Sequence, residues 1–399
     1  MSRMVRLIVA AVVLLATRTA SAQVMCNDAA KLPNPIVVSG SIAFEPTLRQ
    51  FAAKLAAEPS PTTIIYTGST PSCAGVGDVL SGKDLGGAPG RYYFFLDATT
   101  IDFRACTFAA GQKADVAVSD VFYESCASLP QPRPADVIDV LGPVQPSIFV
   151  MPSASSVTRY LTYAEAQVIY GCGVSAARAV VGLSDPAQVF CRDPSVGQQV
   201  VVAKNLGLSP STLVSPTCVD GVTAAALIGA LASSTSAAVG FVVADNRDYG
   251  SAGLTALAFQ SLGQTQAYYL DANSGLADRR NVRDGHYTIW GYEHLIAKTA
   301  GGANLGGPAG ELAAWVNGTK TSTNLDHLLV ETGAGLIPQC AMKVKRSADG
   351  GALSPYAPSA PCHCAFEAIV SQSIPAGCVA CTTSSQCAAA KNCRRGFCE

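Results

Sequence analysis

The sequence predicts an α/β fold with parallel strands, followed by a small module held together by disulfides. Three observations carry that prediction. Short apolar runs ending in Gly or Ser alternate with segments whose apolar residues recur at helical spacing. The 399 residues are 49% apolar and 14% charged, which allows two ordinary domains with ample core and excludes a largely disordered chain. Seven of the 15 cysteines crowd into residues 362–399, a stretch too small to hold a hydrophobic core of its own.

The chain opens with Arg3 and Arg6, an apolar run over 7–16, and then Ala20-Ser21-Ala22. That is the charged start, short apolar centre and small-residue cleavage pattern of a signal peptide, expected over 1–22. A membrane-spanning helix needs about 20 apolar residues, and this run has half that. Later Ala/Val-rich segments are broken by Gly, Ser and Thr, so no membrane insertion is expected after cleavage. Gln23-Val24-Met25 before Cys26 is a poor lipoprotein site. The mature chain is therefore expected in the periplasm or outside the cell. Loss of Arg3, Arg6 and Arg18 leaves 24 basic residues against 28 acidic ones. A near-neutral balance argues against a nucleic-acid partner, which needs a basic face to replace phosphate counterions.

Along the body, Ile36-Val37-Val38 reads as a buried strand ending at Ser39-Gly40. Leu48, Phe51, Ala52, Leu55 and Ala56 then mark a helix over 46–57, with Pro46 suited to its first turn. Residues 62–67 form a second strand, and 68–72 a Gly/Ser loop. Further short strands are expected at 92–96, 116–118, 148–151, 189–190 and 239–243, with helices at 161–170, 222–232 and 311–316. Residues 301–310 read as a flexible loop, and the Pro/Gly/Ser-rich stretch 349–361 as a linker within 341–361. The body thus spans 23–340 and the Cys-rich module 362–399.

All 15 cysteines follow Ala22, and an oxidising compartment makes pairing their default fate. Seven in the tail is odd, so one pairs with the body or stays free. Cys362-His363-Cys364 with Cys378 and Cys381 also has zinc-like spacing, but export favours disulfides, and no metal or cofactor is expected. A nucleophilic hydrolase is disfavoured too. No G-x-S-x-G elbow occurs, and the four histidines, His286, His294, His327 and His363, include no HExxH pair. No catalytic residue is assigned.

More informative are the Gly/Ser loops at strand exits. Hydroxyls and backbone N–H groups at helix N-termini make an anion cradle, and an Arg supplies a two-pronged partner for an oxyanion. In order, the segments GSIAFEPTLRQFAAKLA, YTGSTPSCAGVGDVLSG, KADVAVSD, CRDPSVGQQ, SAAVGFV and RDGHYTIWGYEHL run from 40 to 295. Their succession resembles the type II periplasmic substrate-binding proteins, the phosphate-binding branch in particular, over roughly 36–298. The resemblance implies two α/β lobes with mixed or parallel sheets and a hinge, a first lobe near 36–145 plus 240–340, and a second near 146–239. It implies no enzyme activity but capture of a small oxyanion, phosphate first, in the interlobe cleft. An inner-membrane ABC-type transporter would be the partner.

Carried over position by position, Ser41 would offer a hydroxyl and a backbone N–H, and Ser72 a hydroxyl. Asp120 would accept the proton of hydrogen phosphate, and Arg192 would be the cationic clamp. Ser195, Gly197 and Gln198 would donate from the second lobe. The chain departs from the family pattern where Ile42-Ala43 follows Ser41 and where Ser195-Val196-Gly197-Gln198 replaces a Ser-Gly-Thr. An insertion at 81–111 contains Cys106. The alternative reading is a scaffold that has lost ligand binding and acts as an envelope or extracellular interaction protein through its Cys-rich tail.

Overall fold

The computed structural model describes residues 24–399 except 69, 156–159, 173–187, 214–223, 235–237, 245–247, 273–276, 300, 302–303 and 390. The expected signal peptide and the start of the 222–232 helix fall outside the described residues.

Strand β1 (Pro35–Gly40) lies parallel to both β2 (Thr63–Tyr66) and β5 (Val116–Ser119), the arrangement that strand–helix–strand alternation dictates. The crossover from β1 to β2 is α1 (Glu45–Ala56), with Pro46 in its first turn and Leu48, Phe51, Ala52 and Leu55 buried. Helix α2 (Ser72–Ser81) leaves the loop after β2. The 81–111 insertion is a hairpin of β3 (Pro89–Phe95) and β4 (Ile101–Thr107), which extends the sheet antiparallel from β2. Cys26–Cys106 ties the first described turn to this hairpin.

On the other side of β5, the long strand β6 (Val137–Pro152) changes partners along its length. Its first part, 137–146, pairs antiparallel with β11, described below, while Ser147 onward pairs with later strands of the second half. There follow β7 (Tyr160–Thr162), α3 (Tyr163–Gly171), α4 (Gly197–Asn205), α5 (Ala224–Ala232), β8 (Gly240–Val243), β9 (Leu254–Ala256) and β10 (Ala258–Gln260). Helix α3 starts one residue after Thr162, whose hydroxyl and the Glu165 carboxylate form a capping box. The expected strand at 189–190 is a single bridge from Val189 to Val239. Strand β8 pairs with Ser147–Val150 of β6, and β9 with Val150–Pro152. Residues 240–256 therefore pair with the far half of β6.

Strand β11 (Trp290–Lys298) returns antiparallel between β5 and β6. The mixed sheet runs β4-β3-β2-β1-β5-β11-β6-β8. Two large apolar cores lie along it, and a third, small one gathers Val37, Ile65 and Phe108 around the Cys26–Cys106 disulfide. Of the large cores, the first gathers Val38, Phe51, Tyr66, Val118 and Leu295; the second gathers Phe149, Tyr170, Phe241 and Phe259. Helix α6 (Gly307–Val316) begins four residues before its expected start, with Pro308 in its first turn, and α7 (His327–Gly333) follows.

Part of the segment read as a linker, 341–361, is buried. Strands β12 (Val344–Lys345) and β13 (Ser354–Pro355) form a short hairpin, and both Arg346 and Asp349 between them are buried. Asp349 Oδ2 accepts from Phe122 N–H at 3.0 Å and Ser125 Oγ at 2.7 Å. The Arg346 guanidinium lies 3.7 Å over the Trp290 ring and donates to the Trp290 and Thr288 carbonyls.

The tail carries α8 (His363–Ser371) and a hairpin of β14 (Cys393–Arg394) and β15 (Phe397–Cys398). Disulfides Cys364–Cys378, Cys381–Cys393 and Cys387–Cys398 staple it, and the seventh tail cysteine, Cys362, pairs with Cys340 of the body. Disulfide pairing thus takes the thiols that the zinc-like spacing had offered. Phe366 of α8 enters the second core, with the Arg283 guanidinium 5.0 Å above its ring. Among the described residues, no helix is long and apolar enough to cross a membrane.

Candidate functional site

The site forms where β1 and β5 end side by side. Gly40 closes β1 at φ +105°, where a Cβ would lie 2.0 Å from the Val118 carbonyl oxygen. Gly75 of α2 packs onto it, and a Cβ on Gly75 would stand 2.2 Å from the Gly40 Cα. These two glycines let α2 begin directly against the exit of β1. Ser41 and Ser72 thereby reach the same buried point.

Asp120, the first residue after β5, occupies that point at 3% exposure. The Ser41 hydroxyl donates to its Oδ1, and the Asp120 N–H donates to Ser72 Oγ at 3.3 Å. Cys73–Cys126 pins the start of α2 to the loop after Asp120, so Ser72 and Asp120 are held from both sides. Ser41 is saturated: its N–H, expected to face a ligand, donates to the Val118 carbonyl at 2.8 Å, and its Oγ accepts from Phe44 N–H at 3.1 Å.

Glu293 of β11 completes this pole, fully buried and close enough to act on the Asp120 carboxyl. Burial pushes the Asp120 carboxyl up from its ordinary value. Hydrogen bonds from Ser41 and Ser72, the Arg192 charge and Glu293 pull it back down.

From the other side comes α4. Its first residue, Gly197, is in contact with the Asp120 carboxylate and the Ser72 hydroxyl. Arg192 is 5% exposed; its Nη1 donates to Gln198 Oε1 at 2.9 Å, and its charge interacts with Asp120. Burial pulls the guanidinium down from its usual value, and Asp120 opposes that. Gln198 Nε2 is buried without a hydrogen-bond partner. Helix α4 is buried on every side over its first seven residues, with Val200 and Val201 in the first core and Val202 and Ala203 in the second.

Six of the seven residues expected at a binding site therefore meet: Ser41, Ser72, Asp120, Arg192, Gly197 and Gln198. Ser195 does not. It is exposed, and both its N–H (2.7 Å) and its hydroxyl bond to Asp193 Oδ1 in an Asx turn that draws it outward. Glu293 was missed by the sequence reading. The available signal was a lone acidic residue inside the apolar run Trp290–Lys298. Beside it, His294 Nδ1 and Asp139 Oδ1 lie 2.7 Å apart, bracing β11 against β6. The arrangement offers hydroxyls, a guanidinium, a helix N-terminus and one acidic acceptor around a point between the two cores. That set suits a protonated oxyanion.

No family model matches the sequence, and no curated protein matches it. Solved structures do. An ABC-type phosphate transport receptor from Vibrio cholerae is similar over 76% of this chain and 99% of its own, at 16% identity and a TM-score of 0.50. A phosphate ABC transporter substrate-binding protein with bound phosphate from Clostridium perfringens covers 76% and 99%, at 12% identity and a TM-score of 0.49. The Vibrio likeness shows the fold, that of the type II periplasmic binding proteins.

Proposed function

We propose that this chain is an exported solute-binding protein that captures a small oxyanion, phosphate foremost, between two lobes and without chemical change. Its uptake partner would be an inner-membrane ABC-type transporter. The observation that carries this reading is the convergence on Asp120 of Ser41, Ser72, Gly197 and the Arg192 charge, with Gln198 held on Arg192. In this reading β6 and β11 cross between lobes, and the second lobe runs past 239 to include β8–β10.

Ligand entry would separate α4 from Asp120 and place the anion where Gly197 now rests. The Ser41 hydroxyl and the Arg192 guanidinium would turn from Asp120 and Gln198 to the ligand. Donors in a dry cleft replace the anion's hydration shell. Asp120, whose carboxyl burial pushes up while Ser41, Ser72 and Arg192 oppose that, would accept the proton of hydrogen phosphate. Sulfate brings no proton and meets repulsion instead.

A second reading is favoured by one observation: the donors are already used within the protein. Ser41 bonds to Asp120 and Val118, Arg192 to Gln198, and Ser195 to Asp193. A self-satisfied site of this kind suits a scaffold that no longer binds a solute and acts through its tail.

Thermal unfolding of the oxidised chain with phosphate, arsenate, sulfate or a sugar separates the two. A ligand at 100 times its dissociation constant adds roughly 2.7 kcal/mol, a rise of several degrees. The receptor reading expects that rise with phosphate and arsenate only, and its loss in Arg192→Ala. No shift with any oxyanion would establish the scaffold reading.

A further inference from the structure

A cavity apart from the Asp120 site lies where the body meets the tail. It encloses about 610 Å³, within the range of roughly 300–1,000 Å³ typical of small-molecule sites. Its walls come from the bend at Gly142–Pro143 in β6, the end of α6, α7, the packed linker and the β14 turn. Pro143, Val316, Pro338 and Pro358 make much of that wall apolar.

Two polar groups on this lining have unmet capacity. Glu331 is 1% exposed, and its Oε1 has no hydrogen-bond partner. A buried polar atom left unsatisfied is costly, and a polar group placed in this cavity would satisfy it. Burial pushes the Glu331 carboxyl well above its usual range, which favours the protonated form that can donate a hydrogen bond. Arg394 makes no ion pair among the described residues, and its one side-chain hydrogen bond, to the Ser359 carbonyl, is long at 3.5 Å. Its neighbour differs. Arg395 is neutralised by both oxygens of Asp326 and bonds to His327 Nδ1 at 3.2 Å. Arg395 thus docks the module on α7, and that docking brings Arg394 to the cavity.

A buried carboxyl with an unpartnered oxygen and a guanidinium, lining one chamber with proline and valine walls, suit the two oxygens of a carboxylate whose remainder is apolar. A strongly hydrated inorganic anion would gain nothing from the proline walls. We infer that the cavity between body and tail binds a small carboxylate with an apolar body, in the lining shared by Glu331 and Arg394. This stands apart from the oxyanion reading of the Asp120 site, because the two share no residue.

The test is calorimetric titration of the full oxidised chain with 3-phenylpropionate, its uncharged amide, and inorganic phosphate as competitor. The inference expects saturable one-to-one binding of the carboxylate. The amide and the Arg394→Gln variant should bind about tenfold or more weakly, as loss of a charged hydrogen bond implies. Arg394 is only half-buried, so its replacement leaves the fold intact, and Glu331→Leu gives the matching loss from the other donor. Absence of saturation up to about 10 mM, a range that still covers very weak sites, overturns the inference. So do equal affinity for the amide, indifference to Arg394→Gln, or displacement by phosphate. A failed phosphate response at Asp120 leaves all these readouts unaffected.

Discussion

The backbone of Gly197 rests against the Asp120 carboxylate so closely that a Cβ there would lie 2.5 Å from Asp120 Oδ2 and 2.5 Å from Ser72 Oγ. Both neighbours are buried and held by hydrogen bonds, so neither can step aside cheaply. Gly197→Ala is therefore expected to push α4 away and uncover Val200 and Val201. The cost should be about 1–3 kcal/mol, as for other overpacked sites. Differential scanning calorimetry should show a lower melting temperature. An unchanged transition would mean that α4 yields freely.

The Cys73–Cys126 disulfide closes a loop that contains β3, β4 and β5 and ends on either side of the site. Replacing both cysteines by Ser should lower stability by about 2–4 kcal/mol, chiefly by freeing the unfolded chain. It should also loosen Ser72 from Asp120. The urea midpoint reads the first effect, and the phosphate-induced shift reads the second. Loss of ligand response with full stability would contradict the first expectation.

The first third of the fold was legible because its signals are local. Leu48, Phe51 and Leu55 at helical spacing, and Ile36–Val38 and Ile64–Ile65 as short apolar runs, need no distant partner to be read. Strand β6 was legible only at 148–151. Gly142, Pro143 and Pro146 interrupt it as strand breakers would, yet they lie where the strand passes from one core to the other. Ser41, Ser72 and Asp120 could be found because hydroxyls and a carboxylate stand at strand exits. Glu293 could not, since its partner is 173 positions away and an acidic residue in a strand ordinarily marks a solvent face. Asp349 sits in Asp-Gly-Gly, which reads as linker, and its burial depends on Phe122 and Ser125. Ser195 was misplaced because Asp193 captures it two residues earlier.

His327 gives a pH dependence of known sign. Burial first, then the nearby Arg395, pulls it from 6.5 to about 4, with Asp326 opposing. The unfolded ring protonates near 6.5 while the folded ring stays neutral to about 4. Its stabilising contribution is therefore full above the unfolded value and is lost as pH falls through this window. Glu331 nearby runs the other way: its raised carboxyl costs stability as pH climbs above 4.5. Comparing wild type with His327→Gln cancels the Glu331 contribution. The gap between their melting temperatures should shrink on acidification through that window. A constant gap would remove His327 as its source.

Asp349 decides whether residues 346–350 are a strap or a tether. Its Oδ2 satisfies Phe122 N–H and Ser125 Oγ, both beside the Asp120 loop, and Gly350 packs against the Lys204 carbonyl at the end of α4. The segment thus touches the element that presents Asp120 and the helix that covers it. Asp349→Ala leaves two buried donors unpaired, at about 1–3 kcal/mol for each unsatisfied group. Asp349→Asn keeps an acceptor oxygen and should lose less. Urea midpoints should rank wild type, Asn and Ala in that order, and limited proteolysis should cut the Ala variant first within 341–361. Equal midpoints and equal cleavage would return the segment to the free linker that its composition suggests. The expected ranking would mean that separating α4 from Asp120 must also disturb the strap, which raises the cost of opening the site.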